Sequence, residues 1–398
     1  MHYIKSFLKL VLPSAAAGIL GGIAGGAFRK TLDTVTAIDT QNSILLYFLP
    51  LAGLLIVFLY KLMKLSNDPG TNAVVVSGRT GKKLPLAMAP LIFVCTSITH
   101  LFGGSAGREG AALQLGGVIG SGVSRLFKSD NAAILVMCGM SAVFAAAFGT
   151  PITAVVFTAE IVGSLAACRK ALAPCFIAAY FAAYISSLYG NAPVSFTLSA
   201  MPGMTWQTML SASVLGACCA AVSIAFCLAM QYGGKYSKRL IKNDYIRVFA
   251  GGCLVILLTA AVGTRDYNGA GMSVIKNAIG GNAHWYAFLL KIIFTAVTVG
   301  FGFKGGEIVP SMFVGATFGC AAAPILGLPA PFAAAVGLTA LFAGVVNAPV
   351  AATVLAAEIF GAQNLPAFAA ACFICYALSS KFGLYTGADK IAPITANQ

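Results

Sequence analysis

The chain has 398 residues, of which 59% are hydrophobic and only 9% are charged, and its mean hydropathy is +0.89. Soluble domains carry about 25% charged residues, so this composition excludes a soluble globular domain and indicates a polytopic membrane protein. The net charge of +14 does not indicate nucleic-acid binding, because that would require a soluble basic domain, which the sequence lacks.

Apolar stretches follow one another along almost the whole chain, and several have the roughly 20 residues needed to cross a hydrocarbon core of about 30 Å. They lie at 7–27, 43–63, 84–102, 131–166, 171–189, 207–231, 247–263, 284–302, 309–346 and 347–379. They do not alternate in polarity, and Gly and Pro interrupt several of them. This pattern predicts an all-α membrane protein with broken helices rather than strands.

Basic residues cluster in short segments between the apolar stretches, as positive-inside topology and contact with anionic headgroups require. The clusters are Arg79, Lys82 and Lys83; Arg125 and Lys128; Arg169 and Lys170; and the segment KYSKRLIKNDYIR from Lys235 to Arg247. The lipid bilayer is therefore an expected partner, and nucleic acid is not. Lys291 and Lys304 stand apart from these clusters, and their long side chains are expected to snorkel to the interface.

The stretch GGSAGREGAALQL, residues 103–115, places Arg108 and Glu109 among glycines with apolar sequence on both sides. Broken helices at membrane depth are tolerated where they line a cavity or are buried in protein. The start of such a helix presents free N–H groups and the positive end of the helix dipole, which can bind an anion. The stretch therefore predicts an anion site in the membrane.

Glu109 opens the helix after this break, so its carboxylate could occupy the anion site and leave it on protonation. Ionisable residues inside a membrane are functional by default, which predicts that Glu109 is both a gate and a proton carrier. The structural alternative is a helix cap paired with Arg108. Arg108 itself is expected to be a structural partner or a source of positive potential at the pore mouth.

The chain contains an internal repeat, because residues 138–163 align without a gap with residues 336–361, 198 positions later. Identical pairs other than alanine include Gly139/Gly337, Phe144/Phe342, Pro151/Pro349, Glu160/Glu358 and Gly163/Gly361. Two homologous halves, 1–200 and 201–398, are predicted, with a transport site between them. No soluble regulatory domain is expected, because the chain ends soon after the last apolar stretch.

Neither a cofactor nor a metal is expected. The eleven cysteines lie mostly inside apolar stretches, and the three histidines, at positions 2, 100 and 284, form no HExxH motif. An intramembrane enzyme would need a metal cluster or an activated nucleophile at membrane depth. A Gly-rich nucleotide loop would need a βαβ context. The protein is therefore predicted not to be an enzyme.

Four segments resemble motifs of the CLC family of chloride channels and anion/proton exchangers. GREGAALQLGG resembles its G-[KR]-E-G-P motif, and GGEIVPSMFVGA resembles its G-x-F-x-P motif. PGTNAVV (69–75) stands where the family has G-S-G-I-P, and GLYTGADK (383–390) resembles the stretch with the pore tyrosine, here Tyr385. The resemblance implies two inverted halves of tilted and broken helices, and a homodimer with one pore per subunit.

The departures from these motifs resemble the fluoride-exporting branch of the family. Thr71 and Asn72 replace the filter Ser-Gly, Ala111 replaces the gating-motif proline, and Ile161 stands where exchangers carry an inner proton-relay glutamate. Glu307 adds a carboxylate to the second filter motif. The resemblance implies a bacterial fluoride/proton antiporter, a multi-pass protein of the inner (plasma) membrane.

By the same resemblance, Glu109 and Glu307 are the gating and proton-carrying carboxylates. The implied anion-binding residues are Gly70, Thr71, Asn72, Arg108, Gly110, Ile308, Val309 and Tyr385. Fluoride is small and strongly hydrated, so it needs close donors such as a hydroxyl, an amide and helix N–H groups. Two carboxylates close together cannot both ionise freely, which suits a proton carrier. The structural alternative for Glu307 is a cap on the helix that starts at Ile308.

Two functions remain open for this sequence. The first is a proton-coupled antiporter that exports fluoride from the cytoplasm, favoured by Glu307, Thr71 and the missing inner glutamate. The second is a chloride/proton exchanger or a passive anion channel of the same family. Val309, where the fluoride branch often has Thr, and the absence of Met or Asn at position 71 leave room for the second.

Overall fold

A computed structural model describes residues 2–66 and 70–385, with only the backbone described for residues 2–8. These ranges contain sixteen α-helices, one 3₁₀ helix and no β-strand, so the all-α prediction is confirmed for them. The helices are α1 (His2–Gln41), α2 (Leu49–Leu62), α3 (Thr71–Thr80), α4 (Met88–Leu101), α5 (Glu109–Leu126), α6 (Ala132–Phe148), α7 (Pro151–Val162), α8 (Arg169–Leu188), α9 (Trp206–Leu240), α10 (Asp244–Val262), α11 (Met272–Ile279), α12 (Ala287–Gly300), α13 (Ile308–Leu326), α14 (Ala330–Val346), α15 (Pro349–Phe360) and α16 (Leu365–Ser379), and the 3₁₀ helix is Ser43–Phe48.

Six segments of the described chain are long and apolar enough to cross a membrane. They are Lys9–Gln41, Ser43–Leu62, Arg169–Leu188, Trp206–Leu240, Asp244–Val262 and Ile308–Leu326. Other apolar helices are shorter. For example, α4 has 14 residues and is about 21 Å long at 1.5 Å per residue. Because the hydrocarbon core is about 30 Å thick, helices of this length begin or end at membrane depth.

The two copies of the repeat break at the same place for the same local reason. α6 ends at Gly149 and α14 at Asn347, and both residues are left-handed, with φ of 74° and 57°. A left-handed residue ends a helix, and a proline in the first turn is suited to start the next. Pro151 and Pro349 do so at the starts of α7 and α15.

Glycines allow close helix packing at equivalent places in the two halves. A Cβ on Gly116 of α5 would collide with the backbone of Gly139 of α6. In the second half, a Cβ on Gly315 of α13 would collide with the backbone of Gly337 of α14. Small residues let membrane helices approach until their backbones touch. α5 is therefore packed tightly against α6, and α13 against α14.

Reciprocal capping contacts join α7 and α15. The Glu160 carboxylate near the end of α7 accepts a hydrogen bond from the backbone N–H of Ala351 (2.7 Å), and Glu358 near the end of α15 accepts one from Thr153 (2.8 Å). Each helix start therefore lies beside the other helix's end, so α7 and α15 run antiparallel. Exchanged contacts between equivalent residues are what an approximate two-fold axis produces. The division into 1–200 and 201–398 remains a prediction.

Lys291 is fully buried in α12, so the prediction that it snorkels to the interface is wrong. Its Nζ donates to the carbonyls of Tyr267 (3.1 Å) and Gly269 (2.7 Å) and lies 5.1 Å from the centre of the Phe313 ring. Backbone carbonyls and an aromatic face replace water around the ammonium group. Lys291 thereby holds the segment between α10 and α11 against α13.

Candidate functional site

The segments that precede α5 and α13 pair with each other. Gly107 and Gly306 exchange two backbone hydrogen bonds, of 2.6 and 2.7 Å, in an isolated antiparallel bridge. A Cβ on Gly306 would lie 2.6 Å from the backbone nitrogen of Gly110, so a side chain there would collide with the neighbouring helix start. The pairing brings the N-termini of α5 and α13, with their free N–H groups, to one point.

The start of α3 joins them. The Thr71 hydroxyl lies 3.5 Å from the Gly110 carbonyl, to which it donates, and it accepts a 3.1 Å hydrogen bond from the Gln114 side-chain amide. Gly70 precedes the helix with φ of 67°, a left-handed conformation that glycine adopts without strain. Gln114 was not identified from the sequence, where only its position one turn beyond Gly110 could have suggested it.

Glu109 is the first residue of α5 and is fully buried. Its Oε2 accepts a 2.9 Å hydrogen bond from the Arg108 N–H, while its Oε1 has no hydrogen-bond partner among the described residues. The Arg108 guanidinium is 3.6 Å from Oε1 and makes a shorter, 2.7 Å ion pair with Asp33 of α1. Both contacts of the structural alternative are therefore present, the one at Oε2 as a hydrogen bond and the one at Oε1 as a longer ion pair, so the gating role of Glu109 stays a prediction.

Glu307 precedes α13 at the N-cap position, but its side chain makes no capping hydrogen bond. The structural alternative, a carboxylate that caps this helix, therefore does not describe the geometry. Glu307 instead lines a cavity of about 340 Å³. Tyr385 lines the same cavity and lies within electrostatic range of both Glu307 and Glu109.

We call this 340 Å³ space the basic cavity, because cations outnumber carboxylates in its wall. Its charged lining residues are Lys61, Lys238, Arg247, Lys304, Asp244 and Glu307. Two of the cations also contact aromatic rings: Lys61 lies 4.2 Å from the ring centre of Tyr245, and Lys304 lies 4.0 Å from that of Tyr60. The wall therefore gives the cavity a positive potential.

A second cavity, of about 440 Å³, lies beside Glu109 and is lined by different residues. We call it the acidic cavity. Its charged lining residues are Asp33, Asp39, Glu109, Asp266, Arg108 and Arg265. Both arginines are paired with carboxylates, Arg108 with Asp33 and Arg265 with Asp39 at 2.5 Å. Little free positive charge is left on this side.

The predicted site residues fall into three groups in space. Those lining the basic cavity are Gly70, Thr71, Asn72, Glu307 and Tyr385, and those lining the acidic cavity are Arg108, Glu109 and Val309. Gly110 and Ile308 are buried between the cavities and line neither. The two carboxylates thus start paired helices but open to different cavities. Of the motif segments, Pro69 and residues 386–390 lie outside the described residues.

Several buried polar atoms at this point have no hydrogen-bond partner within 2–66 and 70–385. They are Asn72 Oδ1, Glu109 Oε1 and the Tyr385 hydroxyl. Buried polar groups are normally paired, so unpaired ones call for a ligand or for water. Of these three atoms, only the Tyr385 hydroxyl is a neutral donor of the kind that an anion accepts from. No group of three or more metal-ligating side chains occurs in the part of the chain that the structure describes.

Asp33 is a site residue that the sequence did not reveal. The first apolar stretch ended at residue 27, which placed Asp33 in a loop, whereas α1 continues to Gln41. A carboxylate inside a membrane helix is the signal that would have identified it. His100 also lines the acidic cavity, with Nδ1 bonded to the Thr96 carbonyl (2.9 Å).

Comparisons with known proteins agree with this geometry. A family model described as voltage gated chloride channel matches residues 52–380. A chloride/fluoride channel protein of Pseudomonas syringae pv. tomato is 33% identical over 396 residues, covering 97% of this chain and 86% of the relative. The H(+)/Cl(-) exchange transporter ClcA of Salmonella typhi is 26% identical, covering 90% and 82%. The crystal structure of a CLC-type fluoride/proton antiporter superposes with a TM-score of 0.90 at 32% identity, covering 94% and 96%.

Proposed function

We propose, since the chain belongs to the CLC family of voltage-gated chloride channels, that it is a proton-coupled antiporter that exports fluoride from the cytoplasm. One observation carries this proposal. Two buried carboxylates, Glu109 and Glu307, stand at the paired starts of α5 and α13 and line two different cavities. A proton carrier on each side of a shared anion site is what exchange of an anion for a proton requires. The similarity to a CLC-type fluoride/proton antiporter supports the choice of ions.

In this mechanism Glu109 is the gate. When ionised, its carboxylate competes with the anion for the free N–H groups at the helix starts. When protonated, it loses its charge and leaves the site, and the anion replaces it. The proton and the anion therefore move in opposite directions through one residue.

Positive-inside topology gives the direction. The segment from Lys235 to Arg247 carries the densest basic cluster, and Lys238 and Arg247 line the basic cavity. Because cytoplasmic segments are enriched in Lys and Arg, the basic cavity faces the cytoplasm and the acidic cavity faces outward. Fluoride enters by the basic cavity, and protons enter by the acidic one.

Glu307 takes the place of an inner proton relay. The position expected for that relay is Ile161, which carries no proton, whereas Glu307 opens to the cytoplasmic side in this orientation. A proton released by Glu109 passes to Glu307 and leaves through the basic cavity.

Fluoride selectivity comes from strong donors at short range. The Tyr385 hydroxyl, the Asn72 amide and the helix-start N–H groups replace water around a small, strongly hydrated anion. Thr71 is already engaged, because Gln114 donates to it and its own proton faces Gly110. It orients this end of the site and can turn its hydroxyl to a bound anion.

The protein is thus a transporter rather than an enzyme. Its partners are fluoride, protons and the lipid bilayer of the bacterial inner membrane, and it works as a homodimer with one pore per subunit. No step in the mechanism needs a cofactor or a metal.

Efflux from proteoliposomes loaded with fluoride or chloride tests the proposal, with anion release and internal pH recorded together. The wild type should release fluoride, take up protons and release chloride much more slowly. Glu109→Gln cannot carry a proton and should lose proton uptake. Asp266→Asn is the matched control, since Asp266 also lines the acidic cavity. Equal chloride and fluoride fluxes would contradict the choice of ion, and proton uptake by Glu109→Gln would contradict the gate.

A further inference from the structure

Four charged residues, Arg29, Asp33, Arg108 and Glu109, contact one another in series beside the acidic cavity, and Asp33 is the exposed member. Arg29 Nε lies 3.7 Å from Asp33, Asp33 lies 2.7 Å from Arg108, and Arg108 lies 3.6 Å from Glu109. Only Asp33 has a well-exposed side chain (54%), whereas the side chains of its two arginine partners are nearly buried (11% for Arg29, 12% for Arg108) and Glu109 is fully buried (0%). Two ion pairs, both made by Arg108, therefore connect the exposed Asp33 carboxylate to the buried Glu109 carboxylate.

Arg108 is shared unequally between two carboxylates. Its Nη1 forms a hydrogen-bonded ion pair with Asp33, while its Nε is too far from Glu109 Oε1 for a hydrogen bond. Glu109 Oε1 consequently has an ion-pair partner in Arg108 but receives no hydrogen bond from a described residue. Arg29 is fixed at the far end of the series, because its Nη2 donates to the Ala192 carbonyl (2.6 Å).

A bidentate pair between Arg108 and Glu109 would stabilise the ionised carboxylate and resist its protonation. We infer that Asp33 is a positioning residue that holds Arg108 away from Glu109 and so keeps Glu109 able to take up a proton from outside. This inference rests on the proposed antiport mechanism.

The other charged and titratable groups that face Glu109 do not take over the role of Arg108 and Asp33. They are Asp39 of α1, His100 of α4, and Arg265 and Asp266 between α10 and α11, which line the same cavity, and Glu307 and Tyr385 across the helix starts. Arg265 is paired with Asp39. Arg108 is therefore the cation that can approach Glu109, and Asp33 is the carboxylate that restrains it.

Removing the charge of Asp33 has two effects of the same sign. It frees Arg108 to pair with Glu109, and it removes a nearby negative charge, so both changes favour ionised Glu109. Protonation then needs a more acidic outer solution. Removing the charge of Arg108 has the opposite effect, because Glu109 loses its nearest cation.

The experiment measures proton uptake by fluoride-loaded proteoliposomes as a function of external pH. In Asp33→Asn the pH of half-maximal uptake should fall by about 1 unit, and in Arg108→Gln it should rise. Asp33→Glu should stay close to the wild type because it keeps the ion pair. Asp266→Asn, in the same cavity wall, should shift by less than a third of the Asp33→Asn change. A structural defect would lower the rate without shifting the profile.

An unshifted or alkaline-shifted Asp33→Asn profile would overturn the inference, and Asp33→Ser carries the same expectation if the amide variant does not fold. Glu109→Gln in the same assay separates the two proposals. If Glu109→Gln loses proton uptake while Asp33→Asn is unshifted, only the role of Asp33 fails. If Glu109→Gln keeps proton uptake, the antiport mechanism fails.

Discussion

The basic cavity and the acidic cavity enclose similar volumes, about 340 and 440 Å³, but their charged linings are opposite in sign. In the basic cavity four cations face two carboxylates, and in the acidic cavity four carboxylates face two cations. The first attracts anions and the second attracts protons and repels anions. The bridge between Gly107 and Gly306 holds the starts of α5 and α13 together. The carboxylate at one start lines the acidic cavity, and the carboxylate at the other lines the basic cavity.

This asymmetry shows how a repeated structure can acquire direction. The two halves place equivalent helix starts, α5 and α13, against each other, and each start carries a glutamate. Several of the charges that surround the two glutamates come from elements outside the aligned repeat segments, such as α1, α2, α9 and α10. In the proposed mechanism the helix starts form the anion site, and the charges around them set the side from which each ion enters.

The largest expected effect is on Glu307, the carboxylate of the basic cavity. Glu307→Gln should reduce proton flux by at least roughly 100-fold, the lower range for loss of an acid–base group, because the amide cannot carry a proton. Internal pH recorded during fluoride efflux measures this. Asp244→Asn, which also removes a carboxylate from the basic cavity wall, is the control. Proton flux that survives in Glu307→Gln would show that the basic cavity contributes no proton carrier.

A smaller effect is expected at Thr71, where the basic cavity meets the helix starts. Thr71→Val removes the hydroxyl and leaves the Gln114 amide without its acceptor. A hydrogen bond to a charged group contributes about 1.5–3 kcal/mol, and the smaller fluoride ion gains more from a hydroxyl donor than chloride does, so the ratio of fluoride to chloride flux should fall about 10-fold. Thr71→Ser keeps the hydroxyl and should keep the ratio. If the valine variant were as selective as the serine variant, the hydroxyl would have no part in selectivity.

The cations of the basic cavity should matter less, and only at low salt. The double variant Lys61→Gln, Lys238→Gln should raise the apparent KM for fluoride on that side by about 3–10-fold at low ionic strength, because exposed cations raise local anion concentration. The effect should disappear near 1 M salt, because the Debye length there is only about 3 Å and the charges are screened from the anion. Lys276→Gln, which lines neither cavity, is the control. An effect that persists at 1 M salt would indicate direct binding by these lysines.

The smallest expected effect is a loss of stability when a charge is removed from the wall of the acidic cavity. Asp39→Asn removes the partner of Arg265 and should destabilise the protein by about 2 kcal/mol, as for a part-buried charge left unpaired, which lowers Tm by a few degrees. Thermal unfolding in detergent measures this. The lysine variants of the basic cavity should leave Tm unchanged. A drop in Tm for the lysine variants, with none for Asp39→Asn, would contradict the expectation that the charges of the acidic cavity wall contribute more to stability than those of the basic cavity wall.

The sequence supported more about the site than about the helix bounds. Helix starts at Glu109 and Ile308 follow from glycines beside charged residues, and the break between α6 and α7 follows from Gly149 and Pro151. The bounds of apolar stretches were less reliable, because the stretch 309–346 is two helices separated at Gly327 and α1 runs 14 residues past its apolar part. Hydropathy does not separate a polar end of a helix from a loop, which is why Asp33 was missed.

By itself, the sequence determined the membrane class, the family and the internal repeat, because composition, motif order and spacing are local properties that survive without coordinates. It also supplied the two carboxylates that the proposed mechanism uses. Only the tertiary structure decided that these carboxylates start paired helices and open to different cavities, that Gln114 holds Thr71, and that Arg108 lies closer to Asp33 than to Glu109. These are contacts between residues distant in the chain, and the packing of α1, α3, α5 and α13 sets them.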